Sequence, residues 1–283
     1  MRTSWSWLSC PKIISGEPLI MGVLNVTPDS FSDGGLHLSV DQAVSHASVL
    51  ISEGADIIDV GGESSRPGAL PVSVDVERER VIPVIKAIKS IHPNVMISVD
   101  TMKSIIAEQA INAGACIIND ISGFRDPNMI ELAARTKVGV VVMHMRGIPT
   151  TMQSGDLSTN DIVSEVCDWL SDRCQALKTA GVSSDSISID PGIGFGKTLE
   201  QNLSLIRGIP LIKERLGYSI LIGTSRKSFI GLLTKQPVDQ GLSGALASSF
   251  YSLQQGASIC RVHDVASLRD YLTVWKALED QNP

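Results

Sequence analysis

Apolar residues recur along this chain in two rhythms. The first is short runs of four to eight: LIMGVLN (19–25), DIIDV (56–60), VMISVD (95–100), CIIND (116–120), VVVMH (140–144), ISID (187–190), ILIGTSRK (220–227) and SICRVHD (258–264). Such runs predict strands buried on both faces, as in a parallel sheet. The second is helical spacing, over Val40 to Glu53, Val74 to Ser90, Ser104 to Asn112, Pro127 to Arg135, Thr159 to Ala180, Asp239 to Gln255 and Ala266 to Leu278. Gly54, Gly114, Gly181, Gly217 and Gly256 each stand between a helix and the next strand, where a left-handed cap belongs. About eight strand–helix units follow one another with no linker or low-complexity stretch. The expectation is one α/β domain, a (β/α)8 TIM barrel over residues 19–283, with residues 1–18 unassigned. An open doubly wound sheet is the competing arrangement.

Nearly every run stops at a residue capable of chemistry: Asn25, Asp59, Asp100, Asn119 and Asp120, His144, Asp190, Lys227, and Arg261 with His263 and Asp264. Parallel barrels assemble active sites from the C-terminal ends of several strands, so this repetition points to one rim. Two strand-to-helix loops are long. Val26 to Ser39 contains TPDSFSDGG, and Gly61 to Val74 contains GESSRPGALPVS. Loops of that length in a compact domain are often lids or binding loops; solvated surface loops are the plainer alternative.

Composition narrows the function classes. The 283 residues are 43% hydrophobic and 19% charged, with a net charge of −6 and a pI near 5.4. No basic stripe offers itself to a nucleic-acid backbone. No run is long enough to span a bilayer and no secretory h-region is visible, so a cytoplasmic protein is expected. The five cysteines (Cys10, Cys116, Cys167, Cys174, Cys260) form no CxxC pair and no metal spacing. Cys116 and Cys260 read as buried thiols of a reduced compartment.

Several motifs carry candidate chemistry. Gly192 to Thr198 (GIGFGKT) looks like a phosphate loop, but the required glycine five residues before Gly196 is Pro191. Asp100, Asn119 and Asp190 end three strands. A carboxylate with an amide suits a planar heterocycle presenting adjacent N–H groups, while helix capping is the plainer role of each residue singly. Lys227 opens a helix after the seventh strand, with Ser225 as its expected N-cap; exposed amides there attract anions. Arg261 and His263 alternate on the eighth strand, where barrels often bind phosphate; an ion pair with Asp264 or a nearby acid is the alternative. Asn25 offers a carbonyl oxygen to Mg²⁺, which uses few protein ligands. His144 reads as a satisfied ring behind the site.

Taken in order, MGVLNVTPDSFSDGG, DVGGESSRPGA, SVDT, INDI, DPGIGFGK, SRKSFIG and RVHDV resemble the bacterial dihydropteroate synthase family over residues 19 to 265. The resemblance implies a TIM-barrel homodimer. It would join 6-hydroxymethyl-7,8-dihydropterin diphosphate to 4-aminobenzoate with Mg²⁺, the folate step that sulfonamides block. It places Asp190, Asn119, Asp100 and Lys227 on the pterin, with Ile121, Met143, Phe195 and Gly223 around the ring. Asn25 would carry Mg²⁺; Ser65, Arg261 and His263 would hold diphosphate. Phe31, Ser65, Pro67, Lys227 and Ser228 would shape the aminobenzoate pocket, and Asp33 and Arg66 would arrive with the mobile loops to join Asp100 and Lys227 in catalysis. Ser65 stands where threonine is usual and Ile193 where phenylalanine is common. A methyltetrahydrofolate-binding methyltransferase and a non-catalytic pterin-binding homologue are the alternatives.

Overall fold

The computed structural model describes residues 5–7, 10–14, 17–27 and 36–279. Two short strands, β1 (Trp5–Trp7) and β2 (Cys10–Ile14), pair antiparallel. Eight parallel strands follow: β3 (Leu19–Asn25), β4 (Ile57–Gly61), β5 (Met96–Asp100), β6 (Ile117–Asp120), β7 (Gly139–Met143), β8 (Ile187–Asp190), β9 (Ser219–Ile222) and β10 (Ile259–Val262). They run in sequence order around a closed barrel, since β10 pairs with both β9 and β3. Closure removes the open doubly wound sheet from consideration and leaves the TIM barrel.

The helices are α1 (Leu36–Ser52), α2 (Val74–Ile91), α3 (Ser104–Asn112), α4 (Pro127–Thr136), α5 (Ile162–Thr179), α6 (Leu199–Arg207), α7 (Ile209–Leu216), α8 (Ser228–Thr234), α9 (Leu242–Gln254) and α10 (Val265–Glu279). Two differ from the periodicity in an instructive way. The α6–α7 pair went unpredicted because Gly208 and Pro210 interrupt its apolar stripe, although Thr198 and Gln201 form a capping box that marks its start. The segment from Asp239 is not yet α-helix, because Val238–Gln240 makes a 3₁₀ turn before Gly241. The five expected helix-terminating glycines all have positive φ, between 74° and 114°.

Strand parity sorts the barrel's side chains. Outward residues such as Ile58, Val60, Ile97, Val99, Ile118, Val140 and Val142 pack under the helices. Inward residues build the lumen from the bottom up. Met21, Ile57, Met96, Ile117, Val141, Leu221 and Ile259 form an apolar plug with Trp5, which closes the N-terminal end and donates its indole N–H to Ser186 O (2.9 Å). Two residues further along β4, β5, β6 and β10, the inward positions turn polar. Asp59 follows Ile57, Asn119 follows Ile117 and Arg261 follows Ile259; Ser98 and then Asp100 follow Met96. Because a strand repeats every two residues, this places chemistry at the C-terminal rim and nowhere lower. Cys260 is buried as expected, whereas Cys116 is only half-buried, at the start of β6.

Candidate active site

Arg261 is the hub of the rim. Its Nε donates to Asp59 Oδ2 (2.7 Å) and its Nη2 to Asp100 Oδ2 (2.8 Å). Asn119 Nδ2 donates to the same Asp59 oxygen (3.1 Å). Of the acids expected as alternatives for Arg261, it is nearby Asp59 and Asp100 that pair with it, while Asp264 pairs with Arg226 (3.2 Å). Asp59 is fully buried, and its Oδ1 has no hydrogen-bond partner among the described residues. One guanidinium thus serves two carboxylates in a dry setting, where charge is tolerated only if paired. Burial, with the neighbouring charges of Asp59, Glu77 and Asp120, outweighs Arg261 and pushes Asp100 up to about 7. Asp100 is therefore the carboxyl that changes charge near neutrality. Gly223 lies beside this hub, its missing side chain facing Arg261 Cβ (3.8 Å).

Asp190 ends β8 with its carboxylate buried, which raises its pKa despite a hydrogen bond from Gly192 N (2.7 Å) and the nearby Lys227. The following turn is held from inside. Gly192 has φ +70°, and a Cβ there would stand 1.9 Å from His144 O, so only glycine fits. Lys197 is buried and donates to Gly192 O (2.9 Å), Phe195 O (2.9 Å) and His144 O (3.4 Å). Burial depresses its pKa to about 7. The lysine that made this segment look like a phosphate loop is thus spent on carbonyls of its own turn. The turn in turn presents Phe195, over whose ring Lys227 Nζ sits at 4.0 Å, a cation–π contact. Burial, then Arg261, lowers Lys227 to about 8. Ile121, Met143 and Phe195 meet in one apolar cluster with Met145 and Met152, as a flat-ring slot requires.

The cationic side of the rim gathers around His263. Burial, followed by the charges of Arg226, Arg261, Lys227 and Arg66, pushes this imidazole down to about 3. Ser225 does not cap α8. Its Oγ is within 3.1 Å of His263 Nδ1, and Lys227 occupies the N-cap position without a side-chain bond. The reason is that the hydroxyl is drawn to β10 rather than to the free amides of its own helix. Ser228 is exposed at the first position of α8. Ser65, Asp100 and Ile121 line one small cleft, while Arg66 and Pro67 are exposed above it. Asn25 ends β3 half-buried. Among the described residues there is no group of three His, Cys, Asp or Glu side chains suited to a metal. Phe31 and Asp33 lie outside the described residues.

Lys197 has no place among the site residues expected from the sequence, and Asp59 is legible there only as a strand residue capable of chemistry, not as the partner of Arg261. Asp59 lies two positions before the end of β4, within an apolar run, and shares inward parity with Gly61. A buried acid on one strand and Arg261 within another is a signal that each needs the other. Nothing comparable marks Lys197, whose partners are backbone carbonyls. His144 also departs from expectation. Its ring stacks edge-on to Trp169 (5.1 Å), but Nδ1 finds no hydrogen-bond partner among the described residues. The ring is wedged behind the site by packing, and burial drives its pKa down to about 2.

Comparison with known proteins places this arrangement. The family described as pterin binding enzyme matches residues 21–263. Dihydropteroate synthase from Clostridium beijerinckii is 47% identical over 254 residues, covering 89% of this chain and 91% of that protein. The Xanthomonas albilineans dihydropteroate synthase solved with 4-aminobenzoic acid superposes with a TM-score of 0.90 at 42% identity, covering 97% of this chain and 98% of the other. The structure with 7,8-dihydropteroate gives 0.87 at 40% identity, with 97% and 99% covered.

The Asp59–Arg261 pair supports a direct test. Asp59→Ala should destabilise the fold by about 1.5–3 kcal/mol in urea unfolding, because it removes one of the two carboxylates that pair the half-buried Arg261. Arg261→Met added to Asp59→Ala should recover part of that loss. A double variant that loses the full sum of the two single effects would show that the residues are not energetically coupled.

Proposed function

The chain belongs to the dihydropteroate synthase family of pterin-binding enzymes, and from that premise we propose roles for the residues at its rim. The reaction condenses 6-hydroxymethyl-7,8-dihydropterin diphosphate with 4-aminobenzoate, giving 7,8-dihydropteroate and diphosphate. One observation carries the assignment. Arg66, Arg226, Arg261 and Lys227 press on His263 at the same rim as buried Asp190, half-buried Asp100 and the amide of Asn119. Cations for a departing anion thus stand next to polar groups for a ring edge.

In this reading Asp190 accepts from the pterin's adjacent N–H groups and Asn119 binds the same edge. Ile121, Met143, Phe195 and Gly223 shape the slot, and Lys227 meets the ring carbonyl. Arg261, His263 and Ser65 hold the diphosphate. The bond from the hydroxymethyl carbon to the diphosphate oxygen breaks, and the electron pair leaves with diphosphate. The positive charge spreads into the pterin ring, where ionised Asp100 stabilises it; a carboxylate in a dry site is effective because few water dipoles screen it. The neutral amine of 4-aminobenzoate then attacks the carbon and sheds a proton. Phe31, Pro67 and Ser228, with Asp33 and Arg66 from the loops, frame that second substrate.

The Asn25 amide makes no side-chain hydrogen bond to another described residue. A lone carbonyl oxygen at the rim suits Mg²⁺, which takes its remaining ligands from phosphate and water. When bound, Mg²⁺ supplies charge neutralisation on the diphosphate. The protein acts as a homodimer in the cytoplasm. A groove of about 380 Å³ between α6, α8 and α9, with Leu232 and Leu233 exposed beside it, suits a second copy. No helix among the described residues is long and apolar enough to cross a membrane.

A methyltetrahydrofolate-binding methyltransferase would have no use for the cations around His263, and a mere pterin binder would not need Lys227 and Arg261 together. Mixing the protein with pterin diphosphate, Mg²⁺ and 4-aminobenzoate should release diphosphate in proportion to 4-aminobenzoate. Release independent of 4-aminobenzoate, or none, would contradict the assignment.

A pH profile tests Asp100. Its ionised form is the active one, so kcat/KM for the pterin substrate should rise with pH through about 7. Asp100→Asn should cut kcat by about 10²–10³-fold and abolish that acidic limb. An unchanged limb in the variant would assign the titration to another group.

A further inference from the structure

The loop between β4 and α2 brings Ser65, Arg66 and Pro67 to the rim, and its outer part is open to solvent: Leu70 is 80% exposed. Its neck is built differently from its tip. Glu63, two residues before Ser65, accepts from Val72 N (3.3 Å) across the base of the loop and from Lys103 Nζ. Lys103 Nζ also donates to Glu77 Oε2 (2.5 Å). Glu77 lies on α2 with its side chain fully buried, and its other oxygen accepts from Thr101 Oγ1 (2.6 Å). Thr101 follows Asp100 directly, and its own N–H donates to Asn119 O (3.1 Å). One ammonium therefore ties together the loop's two ends, the helix that follows and the strand end carrying Asp100.

Two acids and a lysine at this place need a reason. Packing the same space with apolar side chains would hold the fold at least as well, because removing charges from water is costly. What the ionic arrangement adds is register, since each oxygen admits its donor only in one direction. Burial alone would depress Lys103, but its bonds to Glu63 and Glu77 outweigh that and raise its pKa above the ordinary lysine value. The clamp thus stays closed throughout the physiological range.

We propose that Lys103 is a positioning residue for the second substrate: by bridging Glu63 and Glu77 it locks the neck of the 61–74 loop to the strand end of Asp100, so that Ser65, Arg66 and Pro67 stand at a fixed offset from the reacting carbon. The proposal rests on the role given to that loop under the function above. It differs from a purely structural role in predicting a loss that spares the ring slot of the pterin. Asp190, Phe195 and Lys227 make no bond to the clamp, and Asn119 meets it only through its backbone carbonyl, which accepts from Thr101 N.

The test uses the full-length enzyme with Mg²⁺, comparing Lys103→Met, Lys103→Arg and Glu63→Gln. Lys103→Met should raise KM for 4-aminobenzoate by about tenfold or more, the order of loss expected from a small misplacement. Its affinity for the free hydroxymethyl-dihydropterin, which carries no diphosphate for Ser65 to hold, should move by less than about threefold in calorimetry, and Lys103→Arg should restore most of the loss. Glu63→Gln spares the buried Lys103–Glu77 pair and should give the same selective effect if Lys103→Met fails to fold. Hydrogen exchange at the Val72 amide, which needs no turnover, should quicken in Lys103→Met while β5 amides keep their protection. Equal losses for 4-aminobenzoate and for the free pterin, an unchanged KM for 4-aminobenzoate, or unchanged exchange at Val72 would overturn the proposal. Wild-type enzyme without 4-aminobenzoate-dependent turnover would sink the functional reading instead, and the exchange experiment would still decide whether the clamp exists.

Discussion

The rim of this barrel depends on a guanidinium held between two carboxylates. Arg261 comes from β10, Asp59 from β4 and Asp100 from β5, so the pair of contacts spans the barrel seam where β10 meets β3. Each member is costly in isolation, and together they leave a cluster with more acid than base. That imbalance has a chemical use. It keeps Asp100 close to neutrality in the empty site, so that a positive charge arriving on a ring stabilises its ionised form. The same guanidinium adds to the cationic pressure on His263, which an incoming diphosphate would relieve. In the proposed reaction, one side chain would therefore couple diphosphate departure to charge on the ring.

Around that hub the polar groups are fixed by means other than charge. Lys197 holds the turn after β8 by three carbonyls, which sets both the Asp190 carboxylate and the Phe195 ring beneath Lys227. A site whose dipoles are already aimed loses little free energy in reorganising during the reaction. The 61–74 loop is exposed at its tip and fastened at its neck.

Much of this was legible in the sequence because barrel architecture converts strand position into place. Asp100, Asn119 and Asp190 end their runs, so period two and the C-terminal rule together put them at one rim. Left-handed glycines at helix ends were equally readable, since no other residue takes that conformation without cost. What could not be read was partnership. Asp59 reads only as one more reactive residue on a strand, Lys197 as part of a turn that fails the phosphate-loop spacing, and Ser225 as a helix cap. Each is decided by a residue far away in the chain: Arg261, the His144 carbonyl and His263 respectively. The Thr198–Gln201 capping box marks the start of α6, but Gly208 and Pro210 break the apolar stripe that a helical period needs.

A crystal structure of the protein with pterin diphosphate bound tests the central claim most directly. The account predicts the ring edge within hydrogen-bond distance of both Asp190 and Asn119, its carbonyl toward Lys227, the diphosphate between Arg261 and His263, and the Asp59–Arg261 bond retained. A ring seated elsewhere, or an Arg261 that leaves Asp59 when ligand arrives, would contradict it.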